Sequence, residues 1–201
     1  MTSTSKIIHS AATRSHLIKV PEITAYFWII KVLSTTVGET FADYLNSTLG
    51  LGLNGTSVVM TIALALALVL QFKVKKYVPV TYWLCVVLTS ITGTLLTDNL
   101  TDNLNVSLLA SSFVFAILLG ICFYLWHRSE TTLSIHSIDT ARREVFYWAT
   151  ILLTFALGTA TGDLVAERFS IGYGWSFWLF VGAIAIVSAG LRYKEIGRAH
   201  V

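Results

Sequence analysis

Charge is what this chain has least of. Asp, Glu, Lys and Arg make up 12% of its 201 residues and hydrophobic residues 55%, about half the charge of a soluble domain of similar length. An ordinary soluble domain is therefore excluded. Proline is nearly absent, with two residues, so a Pro-rich disordered chain is excluded as well. The two cysteines, Cys85 and Cys122, both lie inside apolar runs. They read as buried reduced thiols, not as a disulfide framework. All five histidines lie outside those runs, which argues against a bis-histidine haem within a membrane. No nucleophile-elbow, zinc-protease, phosphate-loop or dinucleotide pattern occurs, so we expect no enzyme and no cofactor. The net charge of +3 is no nucleic-acid signal, and we expect no nucleic-acid partner.

What the chain does have is long apolar runs, at about 22–45, 57–73, 79–98, 105–126, 145–166 and 175–193. Each approaches the roughly 20 residues that a helix needs to cross the hydrocarbon core. The runs are continuous, without the alternation of a barrel strand, so helices are expected. The basic residues fall on alternate sides. Lys6, Arg14 and Lys19 precede the first run, and Lys73, Lys75 and Lys76 separate the second and third. Arg128, Arg142 and Arg143 separate the fourth and fifth, and Arg192 and Lys194 follow the sixth. The opposite loops hold Arg168 alone. By the positive-inside rule this places the N-terminus in the cytoplasm of a multi-pass inner (plasma) membrane protein. Residues 1–18 then form a cytoplasmic tail with no secretory signal, and 19–194 one membrane domain.

The odd-numbered runs repeat. YFWIIKVLSTTVGETFAD begins at Tyr26, YWLCVVLTSITGTLLTD at Tyr82 and YWATILLTFALGTATGD at Tyr147. In each, tryptophan (Trp28, Trp83, Trp148) precedes glycine (Gly38, Gly93, Gly158) by ten residues. An aspartate (Asp43, Asp98, Asp163) follows the glycine by five, and a hydroxyl residue (Ser34, Thr89, Thr154) follows the tryptophan by six. Four matched columns in three copies mark duplicated modules. We delimit them as about 19–79, 80–143 and 144–194. With two spans per unit, successive units enter the membrane in the same direction. The expected fold is all-α, about six transmembrane helices arranged as three parallel two-helix repeats.

The first copy, KVPEITAYFWIIKVLSTTVGETFADYL, and the W-x9-G-x4-D pattern resemble a bacterial and archaeal family of integral membrane proteins. That family is built from a two-span repeat of unknown function, usually in four copies; three are seen here. The resemblance runs from Lys19 to Lys194 and implies fold and membrane location, with no activity attached.

The acids are the residues most able to carry chemistry. Each aspartate lies about 22 Å along its helix from the tryptophan, so the three share one depth. Asp102 and Glu167 follow Asp98 and Asp163 by four residues, and Glu39 precedes Asp43 by four, which gives pairs on one helical face if the helix continues; otherwise Asp102 and Glu167 are solvated loop residues. Acids at membrane depth are costly and usually face a cavity. Together they would form a partial ring suited to cation binding, or else cap helix ends near the interface. Lys31, the one basic residue inside a run, either snorkels to the cytoplasmic face or serves as an internal counter-ion. Gly38, Gly93 and Gly158 read as helix-packing positions. The hydroxyl column reads as inter-helix hydrogen bonds, and GYGWSFW at 172–178 as an interfacial aromatic anchor ahead of a substrate-stacking surface.

The expected function is transport or permeation of a small solute or cation along an axis lined by the repeat acids. The expected partners are the lipid bilayer and that solute. The alternative is a structural or regulatory membrane protein. The last seven residues, EIGRAHV, fall outside the repeat. They back-translate as GAG ATC GGA AGA GCA CAC GTC, the opening of a common sequencing adapter. Residues 195–201 therefore read as a non-native tail, with the natural chain expected to continue into a fourth repeat.

Overall fold

The computed structural model describes residues 19–135, 138–168, 170 and 172–199, the last nine as backbone only. The expected tail at 1–18 lies outside the described residues. Among those described, the chain forms six long α-helices and no strand. They are α1 (Ala25–Asp43), α2 (Gly52–Lys73), α3 (Pro79–Asp98), α4 (Leu108–Glu130), α5 (Ala141–Asp163) and α6 (Gly172–Ala199). Helices α2 to α6 are long and apolar enough to cross a membrane. In α1, Lys31 and Glu39 lower the hydropathy of an otherwise similar segment. Helix α2 starts at Gly52, ahead of the expected 57, and α6 continues through residues 195–199, which the repeat pattern had set apart.

Local chemistry accounts for the helix starts. The hydroxyls of Thr24, Ser107 and Thr140 accept hydrogen bonds from the backbone N–H of Phe27, Ala110 and Arg143, capping α1, α4 and α5. Helix α3 opens on Pro79 in its first turn, where a missing N–H costs nothing. The ends of the odd helices were not foreseen. Directly after each repeat aspartate the chain widens into a five-residue π turn, at Tyr44–Thr48, Asn99–Asn103 and Leu164–Arg168. Such turns are rare and concentrate at functional sites.

The repeats pack head to tail by one rule. The two helices of a repeat hardly touch each other. Instead the second helix of each packs on the first helix of the next, α2 on α3 and α4 on α5, while α1 packs on α3 and α3 on α5. The glycine column makes the close approach possible. A Cβ on Gly38 would meet Ser90 Oγ at 3.3 Å and Ile91 Cγ1 at 3.2 Å on α3; one on Gly93 would meet Phe155 Cβ at 2.6 Å and Ala156 N at 3.0 Å on α5. Ser90 and Phe155 occupy equivalent positions, seven after their tryptophans, so the step between units is the same each time. Thr97 reinforces the second step by donating to the Ala156 carbonyl at 2.9 Å. Within lipid, helices gain little from hydrophobic burial against one another, so such close packing and hydrogen bonding carry the association.

Gly158 breaks the series. A Cβ there would meet nothing within 4 Å, because no next-repeat helix lies against it among the described residues. Among the described residues it makes no such contact, and it lines a cavity instead. Helix α6 likewise has little packed on it, and α1 and α5 have little direct contact. The bundle is thus a partial ring centred on α3, the most buried span.

Two substitutions separate these roles. Gly93→Ala should destabilise, because overpacking costs about 1–3 kcal/mol while replacing a helical glycine returns only about 0.5–1 kcal/mol. Gly158→Ala should be neutral or slightly stabilising. Denaturant unfolding of both variants in detergent checks the ordering; equal effects would contradict it.

Candidate functional site

The packing rule leaves a cavity of about 600 Å³ between α1, α3, α5 and α6, at the end of the bundle that carries the repeat aspartates. Asp43, Asp98 and Asp163 all line it. One turn deeper lie Glu39, Thr94 and Thr159, which share a column eleven residues after the tryptophans. Thr94 Oγ1 and Thr159 Oγ1 are 3.2 Å apart, so equivalent positions of the second and third repeats meet across the seam. Thr35 continues the α1 stripe, with Thr35, Glu39 and Asp43 spaced by four. Asp98 and Asp163 are half-buried, whereas Glu39 and Asp43 are exposed. Gly158 and Gly162 leave room on the α5 wall.

Of the other acids, Asp102 accepts a hydrogen bond from Thr101 Oγ1 at 3.1 Å, and Glu167 from Tyr173 Oη at 2.9 Å. Both are exposed and neither lines the cavity. The π turn after each aspartate carries Asp102 and Glu167 off the face that a continuing α-helix would have kept. Lys31 lies between two aromatic rings. Its Nζ sits 5.9 Å from the Phe27 ring centre and 5.5 Å from that of Phe155, while Phe155 itself forms part of the cavity wall. Among the described residues no carboxylate lies within ion-pair distance of it. The hydroxyl column also behaves differently from expectation. Thr89 and Thr154 donate to the carbonyls of Cys85 and Thr150 in their own helices, at 2.6 and 2.7 Å.

The sequence reading placed the α6 aromatics first at the interface and only second against a ligand. Tyr173, Ser176, Phe177 and Phe180 line the cavity, while Trp175 and Trp178 are exposed. The four-residue spacing of Tyr173 and Phe177 carried that signal. Among the described residues no group of three His, Cys, Asp or Glu side chains stands close enough to hold a metal ion. The acids line a wide vestibule; they do not form a coordination shell.

A family model described as Repeat of Unknown Function (DUF347) matches the chain three times, at residues 26–77, 81–132 and 146–196. The chain belongs to this family. Each family match starts one residue before the aromatic pair of its odd helix and extends to or near the end of the following even helix, so the family unit is the two-helix module seen in the fold. No curated protein and no solved structure matches the chain.

Lys31 provides a prediction. Two ring contacts return about 0.5–2 kcal/mol, less than the roughly 2.5–3.5 kcal/mol that a lysine costs at the centre of a membrane helix. Lys31→Met should therefore unfold at the same denaturant concentration as the parent or a higher one. A clear loss of stability would show that the ammonium–ring contacts hold α1 in place.

Proposed function

We propose that this protein is a transporter or permeation pathway for a small cation or cationic solute, which enters the cavity lined by Glu39, Asp43, Asp98 and Asp163. The single observation that carries the reading is the convergence of the three equivalent aspartates, one from each repeat, on one cavity. Carboxylates focused by low-dielectric walls raise the local concentration of cations. The cavity is far wider than a dehydrated metal ion, and the Tyr173, Phe177 and Phe180 rings beside the acids offer faces to an organic ammonium. Thr94 and Thr159 add neutral oxygens one turn deeper. A cation would pass from the aspartates to Glu39 and the hydroxyls, trading water for fixed oxygen ligands.

The distribution of basic loops supports an inner-membrane location with the aspartate end facing outward. In the rival reading, a purely structural or regulatory bundle, the acids serve only as solvated helix ends. Uptake into proteoliposomes separates the two. Glu39→Gln and Asp98→Asn should each lower cation uptake by about tenfold or more, the equivalent of about 1.4 kcal/mol in the rate-limiting step, without changing the amount of folded protein. Unchanged uptake in both variants would reject the cation pathway.

A further inference from the structure

At the end of the bundle opposite the aspartates, the chain ahead of α1 folds inward and makes a buried polar junction. Lys19 Nζ donates to Glu144 Oε2 at 2.6 Å and to the Phe72 carbonyl at 3.3 Å, and Gln71 Nε2 donates to Glu144 Oε1 at 3.1 Å. Glu144 and Gln71 are each 1% exposed and Lys19 8%. The three residues come from different parts of the chain. Lys19 precedes α1, Gln71 lies in the last turn of α2, and Glu144 lies in the first turn of α5 in the third repeat. The junction ties the first repeat to the third at this end, although α1 and α5 have little contact elsewhere.

Between junction and cavity lies an aromatic layer that follows the same head-to-tail step. The residue before each tryptophan meets the tryptophan of the next repeat, Phe27 with Trp83 at 5.6 Å and Tyr82 with Trp148 at 5.5 Å between ring centres. The Tyr82 and Tyr147 hydroxyls are 2.6 Å apart. Next towards the cavity comes Lys31, between Phe27 and Phe155. An acid-lined cavity thus opens beside α1, α3 and α5 at one end, while aromatic rings and the polar junction pack between the repeats at the other.

We propose that the Lys19–Glu144–Gln71 junction latches the aromatic layer as the inner gate of the cavity, closed here, and that breaking the junction lets the layer part and opens the cavity towards the side of the basic loops. A buried ion pair loses several kcal/mol of hydration per ion, and apolar residues would seal a static bundle as well. An ion pair differs in that a competing charged group can exchange its partners. Removing one partner leaves the other buried and unpaired, which strongly disfavours the closed arrangement. The purpose of the gate rests on the transport reading, but its test does not.

The test uses the full chain carrying Cys85→Ala and Cys122→Ala, with Thr94→Cys as a reporter in the cavity. A membrane-impermeant maleimide is applied to vesicles of either orientation. With the junction intact, the reporter should react from the aspartate side only. Lys19→Met and Glu144→Gln should each raise reaction from the basic side by about tenfold or more, and the swap Lys19→Glu with Glu144→Lys should bring it back down. If one single variant fails to fold, the other, checked by monodispersity in detergent, still decides. No increase from the basic side in a folded single variant, or an increase that the swap leaves in place, overturns the gate. If the gate opens as described and proteoliposomes take up no cation, the gate stands and the transport reading falls. If uptake is present and access from the basic side never changes, the reverse holds.

Discussion

The fold depends on one close contact made twice: a glycine on the first helix of one repeat set against the helix seven residues beyond the next repeat's tryptophan. Gly38 meets Ser90 and Ile91, and Gly93 meets Phe155 and Ala156, near or inside ordinary van der Waals distance for an added Cβ. That contact fixes both spacing and register between units. Once register is fixed, every column of the repeat is carried to an equivalent place. The aspartates then come to a common end, and the aromatic pairs to the other.

The ends of the bundle follow from the same step acting on different side chains. At the basic end the column before tryptophan is Phe27, Tyr82 and Tyr147, large enough to bridge to the next unit and close the space. At the other end the columns hold Glu39, Thr94 and Thr159, then three aspartates, which neither fill the space nor tolerate dry contact with one another. A cavity at that end is what this chemistry permits. The π turns after the aspartates take the chain sideways at that level and keep Asp102 and Glu167 out of the cavity.

Much of this was legible in the sequence, because the repeat spacing is a direct record of the geometry. The tryptophan-to-aspartate interval alone gives helix length and depth, and the parallel order follows from two spans per unit. Three things were not legible. Gly158 looks like Gly38 and Gly93, but its role depends on a neighbouring helix, which spacing within one repeat does not encode. The wall contributed by Tyr173 and Phe177 lies on an even helix, where no repeated column draws attention to it. Lys19 reads as one more basic loop residue. Its partner Glu144 is 125 positions away, and nothing local reveals that the two are buried together. Pairings between repeats are set by the ring they build, and such contacts leave no periodic trace.

The central claim is that the acids facing the cavity form one cation site. Its most direct measurement is carbodiimide modification of the purified protein in lipid, read residue by residue by mass spectrometry while a panel of inorganic and organic cations is titrated in. The account predicts saturable protection of Glu39, Asp98 and Asp163 together by at least one cation, with Asp102 and Glu167 modified at an unchanged rate. Unprotected modification of Glu39, Asp98 and Asp163 across the whole panel would contradict it.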